Sequence, residues 1–317
     1  MAIRSVSKNV LAWVICNLEL LCIKTVGLLV RIAPYKVSLI ETLGLFTGFV
    51  FLCLKFNRWR EITKFARHTG STLPVPLYLG CYWVQRGRDR VWEEAYHEAT
   101  FSLKQYITTE NEEMIEKAVG EGKGAILLGA HIGPKLCSTI LHEMNIDVKT
   151  LVGHSGFERQ QNILKLGIEF LLSKDILFFK DTQRALLTRD SEKELVRHLR
   201  KGGVISMFID FHARQGVIAE FFGLPFRFSV FPFKLALRHN SPVFFYFLDK
   251  AQNGGYRLCF VPSGDFLTPE EGVKRYASFF QAQITKYPFM WAVPSFLNWD
   301  PRDADQHHTS KLDQVNV

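Results

Sequence analysis

From residue 123 onward, short apolar runs alternate with stretches of helical pattern, and this alternation constrains the fold more than any other feature. The runs are GAILLG (124–129), VKTLVG (148–153), ILFFK (176–180), GVISMFID (203–210), PVFFYFL (242–248) and YRLCFVP (256–262). Each is too short for a buried helix and rich in the β-branched and aromatic residues that suit strands. Between them lie FERQQNILKLGIEFLLSK (157–174) and SEKELVRHLRKGG (191–203). Ser191 with Glu194 reads as a capping-box start, and Gly202 and Gly203 as a stop. A further helix begins near Pro269. Strands alternating with helices require crossover connections, so the expected class is α/β, a mainly parallel sheet flanked by helices.

The N-terminal part has a different texture. Residues 9–32 are apolar apart from Glu19, Lys24 and Arg31, and Pro34 interrupts the pattern before a second apolar segment, 37–55. Interior charges weaken a spanning reading of the first segment. The pair reads as apolar helices that dip into or lie on the inner face of a membrane, and a buried helical hairpin is the plain alternative. No small-residue cleavage motif closes the first run, so no signal peptide is expected. Residues 87–118, rich in Glu, Lys and Arg, read as amphipathic helices. The expected organisation is an apolar helical membrane-associating segment (1–60), one α/β domain (61–300) and a polar tail (301–317).

The net charge of +8 suits an acidic partner. Basic residues gather at 54–68 and 85–90, directly after the apolar region, which favours an anionic membrane face over nucleic acid. Ordinary solvated faces would look similar. The six cysteines form no CxxC pair and read as buried, reduced thiols rather than disulfides or a zinc site.

Two presumed strand ends carry chemistry. GAHIGPKLCS (129–138) presents His131 after an apolar run, with Pro134 placed to open a helix. FIDFHARQG (208–216) ends another run in Asp210, His212 and Arg214. Ligands bind beyond the carboxyl ends of parallel strands, so these residues are candidates to converge. Each also has a plain reading: a cap, a turn or a surface group. His131, Asp210 and His212 have the residue types of a two-histidine, one-carboxylate metal set. The other reading is acyl transfer, with the histidine taking a proton from an attacking hydroxyl.

GAILLGAHIG (124–133), LRKGGVISMFID (199–210), GVIAEFFGLPFRFSVFPFKLALRHNSPVFFYFL (216–248) and KYPFMW (286–291) appear in that order. In this, the chain resembles the bacterial lipid A late acyltransferases of the lysophospholipid acyltransferase superfamily. The resemblance rests on Phe221, Phe222 and Gly223, on Leu235, Ala236, Arg238, Pro242 and Val243, and on the Tyr-Pro-x-x-Trp ending. It implies transfer of an acyl group from an acyl carrier protein to a hydroxyl of lipid A or a related glycolipid. The place implied is the cytoplasmic face of the bacterial inner membrane. No metal or resident cofactor is implied, since the donor travels as a phosphopantetheine thioester on its carrier. His131 is then the expected general base and Asp210 the expected orienting acid. Lys135 and Arg214 are candidates for binding phosphate or phosphopantetheine, with His212 beside them. Gly133, Phe222, Gly223 and Arg238 are expected around the substrate.

One departure is plain. The family's histidine is followed, after four residues, by Asp or Glu. Here that position is Leu136, which cannot accept a hydrogen bond. Three outcomes stay open: an acyltransferase with an altered dyad, an aminoacyl (glycyl) transferase drawing on an aminoacyl carrier protein, or an inactive membrane-binding relative.

Overall fold

The computed structural model describes residues 37–55, 58–98, 106–134, 136–152, 184–186, 189–211, 213, 216–251 and 255–292, with positions 25, 294 and 297. Its centre is a seven-stranded sheet of β1 (Ile107–Glu110), β2 (Ala125–Gly129), β3 (Val148–Val152), β4 (Arg184–Leu186), β5 (Val204–Phe208), β8 (Val243–Lys250) and β9 (Tyr256–Pro262). The spatial order is β1-β9-β8-β2-β5-β3-β4. Strands β8, β2, β5, β3 and β4 run parallel to one another, while β9 is antiparallel to β8 and β1 runs with β9. The mainly parallel α/β class is therefore present, with a reversed edge. Ala125–Leu128 of β2 are all buried, as expected of a strand covered on both faces.

Helices α1 (Val37–Leu54), α2 (Trp59–His68), α3 (Val75–Glu98), α4 (Glu112–Gly120), α5 (Cys137–Glu143), α6 (Arg189–Arg200), α7 (Phe231–His239) and α8 (Pro269–Lys286) surround the sheet. A two-stranded hairpin, β6 (Val217–Phe221) with β7 (Leu224–Phe228), sits apart from the main sheet. Helix α8 lays Tyr276 and Phe280 against Phe245 of β8. Helices α1 and α3 meet through glycines. A Cβ on Gly87 would lie 2.2 Å from the Gly48 nitrogen and 2.3 Å from the Gly44 oxygen, so only glycine allows this approach. The outer side of α1 exposes Leu45, Phe46 and Phe49.

Several expectations need correction. Residues 107–110, read as helical, form β1 at the sheet edge, because their partner β9 lies about 150 residues away and leaves no local signal. Ser191, expected to open a helix, lies inside α6, which already begins at Arg189. A capping box occurs at Thr268, whose side chain accepts from the Glu271 N–H. The helix after His131 starts at Cys137 rather than Pro134. Cys137 and Cys259 are buried, but Cys53 is exposed. Among the described residues no helix is long and apolar enough to cross a membrane. Residues 9–24 and 26–32 of the first apolar segment, the run 176–180, the stretch 157–174 and the polar tail lie outside the described residues.

Candidate active site

Register brings the two strand ends together. Strands β2 and β5 are neighbours, with Gly129 opposite Phe208. His131 and Asp210 each lie two residues beyond that pair, so the strand period of two sends both side chains the same way. The result is a hydrogen bond of 2.6 Å between His131 Nδ1 and Asp210 Oδ1. The His131 backbone N–H donates to Asp210 Oδ2 at 2.7 Å, and Trp291 Nε1–H donates to the same oxygen at 2.8 Å. Asp210 is fully buried and receives three donors.

Burial alone would push the Asp210 carboxyl up. The charge and hydrogen bond of the His131 ring outweigh it, helped by the His131 backbone N–H and by Trp291, and hold the carboxyl below its ordinary value. An ionised carboxylate accepts only, so Nδ1 carries a proton, and whenever the ring is neutral Nε2 is the nitrogen with the lone pair. Phe208 stacks on the imidazole, with centroids 4.6 Å apart and planes at 29°. The ring keeps partial access to solvent, with 17% of the His131 side chain exposed. A partly accessible imidazole held by a buried acid is the arrangement that takes a proton from a bound hydroxyl.

The loop after β2 is fixed by the chain near residue 291. Ala292 N–H donates to His131 O at 2.8 Å, Gly133 N–H donates to Met290 O at 3.1 Å, and Ile132 bridges Trp291. Gly133 has φ +70°, a conformation that favours glycine. Arg86 of α3 also donates to Met290 O and pairs with Asp89 at 2.7 Å. Beneath the site, Tyr276 O–H donates to Gly129 O at 2.8 Å. Tyr246 fills the space over Gly129, where a Cβ would lie 2.4 Å from its ring.

Of the residues singled out in the sequence, His131, Asp210 and Gly133 come together here. Phe222 and Gly223 form the β6–β7 turn, with φ of 54° and 70°. Phe222 is buried behind Trp291, stacked at 5.9 Å, and its N–H donates to Gln281 Oε1 at 2.6 Å. Its carbonyl accepts from His68. Phe222 thus braces the tryptophan that holds Asp210. Gly223 is solvent-exposed, with nothing within 4 Å of its would-be Cβ. Arg238 sits in the last turn of α7, just before β8 begins, at the opposite end of the sheet from His131. Lys135, His212 and Arg214 lie outside the described residues. Among the described residues no group of three or more His, Cys, Asp and Glu side chains is placed to hold a metal ion. Sequence reasoning gave no role to Trp291, Phe208, Tyr246 or Arg86. Trp291 stood in the KYPFMW run, but nothing in local spacing puts it beside Asp210.

Residues 180–296, a little over a third of the chain, match the family model described as bacterial lipid A biosynthesis acyltransferase. The matched stretch contains Asp210 and Trp291, and the match supports the family that the sequence resemblance implied. The comparison with curated proteins gave no match.

Proposed function

We propose that this chain, whose match supports a family of acyltransferases acting on lipid A-like acceptors, moves an acyl group from a carrier-protein thioester to a hydroxyl of lipid A or a related glycolipid. The single observation behind this reading is the 2.6 Å contact between His131 Nδ1 and the buried Asp210. It supplies the acid that Leu136 does not, from the neighbouring strand rather than from the following helix.

In the proposed reaction, His131 Nε2 removes the proton of the acceptor hydroxyl as its oxygen forms a bond to the thioester carbonyl carbon. Asp210 stays ionised and stabilises the imidazolium through Nδ1–H. The C–S bond then breaks, the ester forms, and His131 returns the proton to the departing thiolate. The phosphopantetheine thiol leaves on its carrier, and the histidine ends neutral. Work at the cytoplasmic face of the inner membrane is part of the proposal. The exposed Leu45, Phe46 and Phe49 of α1 and the net charge of +8 support it.

Mass spectrometry of lipid A from cells with and without the protein, and with His131→Ala, tests the reading. The expected result is a mass gain of one fatty acyl chain that disappears with the alanine variant. A glycine-sized gain would move the donor to an aminoacyl carrier protein. An acyl gain that persists in the alanine variant would remove His131 from the chemistry.

A further inference from the structure

Helix α6 carries Lys193, Val196, Arg197 and Arg200 at spacings of three and four, which puts all four on one face. The opposite face buries Leu195, His198 and Leu199 against the body of the protein. The basic face meets the last turn of α7, which presents Arg238. Together these five residues line an open cleft of about 420 Å³. Among the described residues the lining is three guanidinium groups, one ammonium and a valine, with no carboxylate.

The cleft is separate from the dyad. Gly202 and Gly203 lead from α6 into the start of β5, and Ser241 and Pro242 lead from α7 into the start of β8. Both helix ends therefore lie at the beginnings of strands, whereas His131 and Asp210 stand at the ends of β2 and β5.

Clustering these cations costs stability. Lys193 with Arg197, and Arg197 with Arg200, are like-charge neighbours on one helix, each pair mildly unfavourable. The helix dipole favours Arg197 and Arg200 near the end of α6 and Arg238 near the end of α7. It gives no such reason for Lys193, in the second turn of α6. Glu194, three residues before Arg197, is engaged by Lys149 across from β3 and also feels the Arg197 charge. Beside the cleft, His239 Nε2 is buried without a hydrogen-bond partner among the described residues. Burial, Arg200 and Arg238 together disfavour its protonated form.

We propose that this cleft binds a phosphate monoester. A dianion satisfies several cations at once, and guanidinium groups match phosphate oxygens with paired N–H donors. The volume admits a small phosphorylated group. With Val196 the only apolar lining residue among the described ones, the charged group rather than an acyl chain belongs inside.

The test uses the purified full-length protein at low ionic strength. Isothermal titration calorimetry with glycerol 3-phosphate probes a free phosphate monoester. Flotation with phosphatidylcholine vesicles, with and without phosphatidic acid, probes a lipid headgroup carrying the same chemistry. The triple variant Arg197→Gln/Arg200→Gln/Arg238→Gln is expected to weaken glycerol 3-phosphate binding at least ten-fold. If it abolishes only the dependence on phosphatidic acid, the phosphate site stands and its source is a lipid. All three side chains are exposed, so folding should persist. If the triple variant melts early, Arg197→Gln alone is expected to weaken binding at least three-fold. No binding of either probe to the native protein would overturn the proposal. So would glycerol 3-phosphate binding lost equally in the charge-matched α2 variant Arg60→Gln/Lys64→Gln/Arg67→Gln.

Discussion

Replacing Asp210 by asparagine isolates the part of the site that the sequence left unexplained. The carboxylate accepts from three donors: His131 Nδ1 on one oxygen, and the His131 N–H and Trp291 Nε1–H on the other. Asparagine has one acceptor oxygen and one NH₂ group. If the oxygen serves the two donors on the Oδ2 side, the NH₂ faces Nδ1 and drives the proton to Nε2. The base is then in the wrong tautomer, and the imidazolium has lost its counter-charge. If the amide flips, its NH₂ faces two buried donors at once, which costs more. The first arrangement should prevail, with a stability loss of about 1–3 kcal/mol for the buried hydrogen bonds changed. The same replacement in a serine protease triad lowers kcat by about 10⁴. A thioester is the more reactive donor, so a loss of about 10³–10⁴ in kcat is expected here, or roughly 4–5.5 kcal/mol in the barrier. The assay is transfer from an acyl carrier thioester to a lipid A precursor, with kcat and KM separated and folding checked by circular dichroism. A folded Asp210→Asn protein with kcat within ten-fold of native would refute the proposed role of the carboxylate.

Three further outcomes follow from the packing around the site. Trp291→Phe keeps the aromatic stack on Phe222 but removes the N–H bound to Asp210 Oδ2; chemical denaturation should show a loss of about 1.5–3 kcal/mol, as for a hydrogen bond to a charged group, with kcat also reduced. Gly87→Ala forces a methyl to within 2.2 Å of the Gly48 nitrogen; the α1–α3 contact should open, at a cost of at least about 1–3 kcal/mol, read as faster proteolysis within α1. Burial raises the Asp89 carboxyl from 3.8 to about 6, against the opposing pull of Arg86 and Gln85. The folded state therefore holds more protons than the unfolded chain between those values, and this group's contribution to stability declines as pH rises through that window. Thermal melts of Asp89→Asn should gain on the native protein from about pH 4 to pH 7, by up to roughly 3 kcal/mol. A gain in the opposite direction would contradict the burial argument.

Much of the α/β framework was legible because its causes are local. The apolar runs that became β2, β3, β5, β8 and β9 announce strands wherever they occur, and Gly202 and Pro269 mark helix ends through backbone constraints of their own. His131 was identifiable from the same logic, as a histidine leaving a buried strand. Strand β1 and the β6–β7 hairpin were not, because four- and five-residue segments depend on distant or tightly turned partners for their identity. The acid beside His131 belongs to this second class. Sequence position 136 holds a leucine, and within the chain's local spacing the histidine has no carboxylate. Parallel pairing of β2 with β5 in the register Gly129–Phe208 brings in Asp210 from 79 residues away, and the Ile132–Trp291 bridge adds its third donor from further still. Arg238 shows the converse: grouped with the substrate residues by resemblance, it ends at the opposite end of the strands, beside the basic face of α6. The sequence by itself determined which segments form the framework and where the histidine stands. Strand order and register, set by hydrogen bonds and burial among segments far apart in the chain, decided what surrounds it.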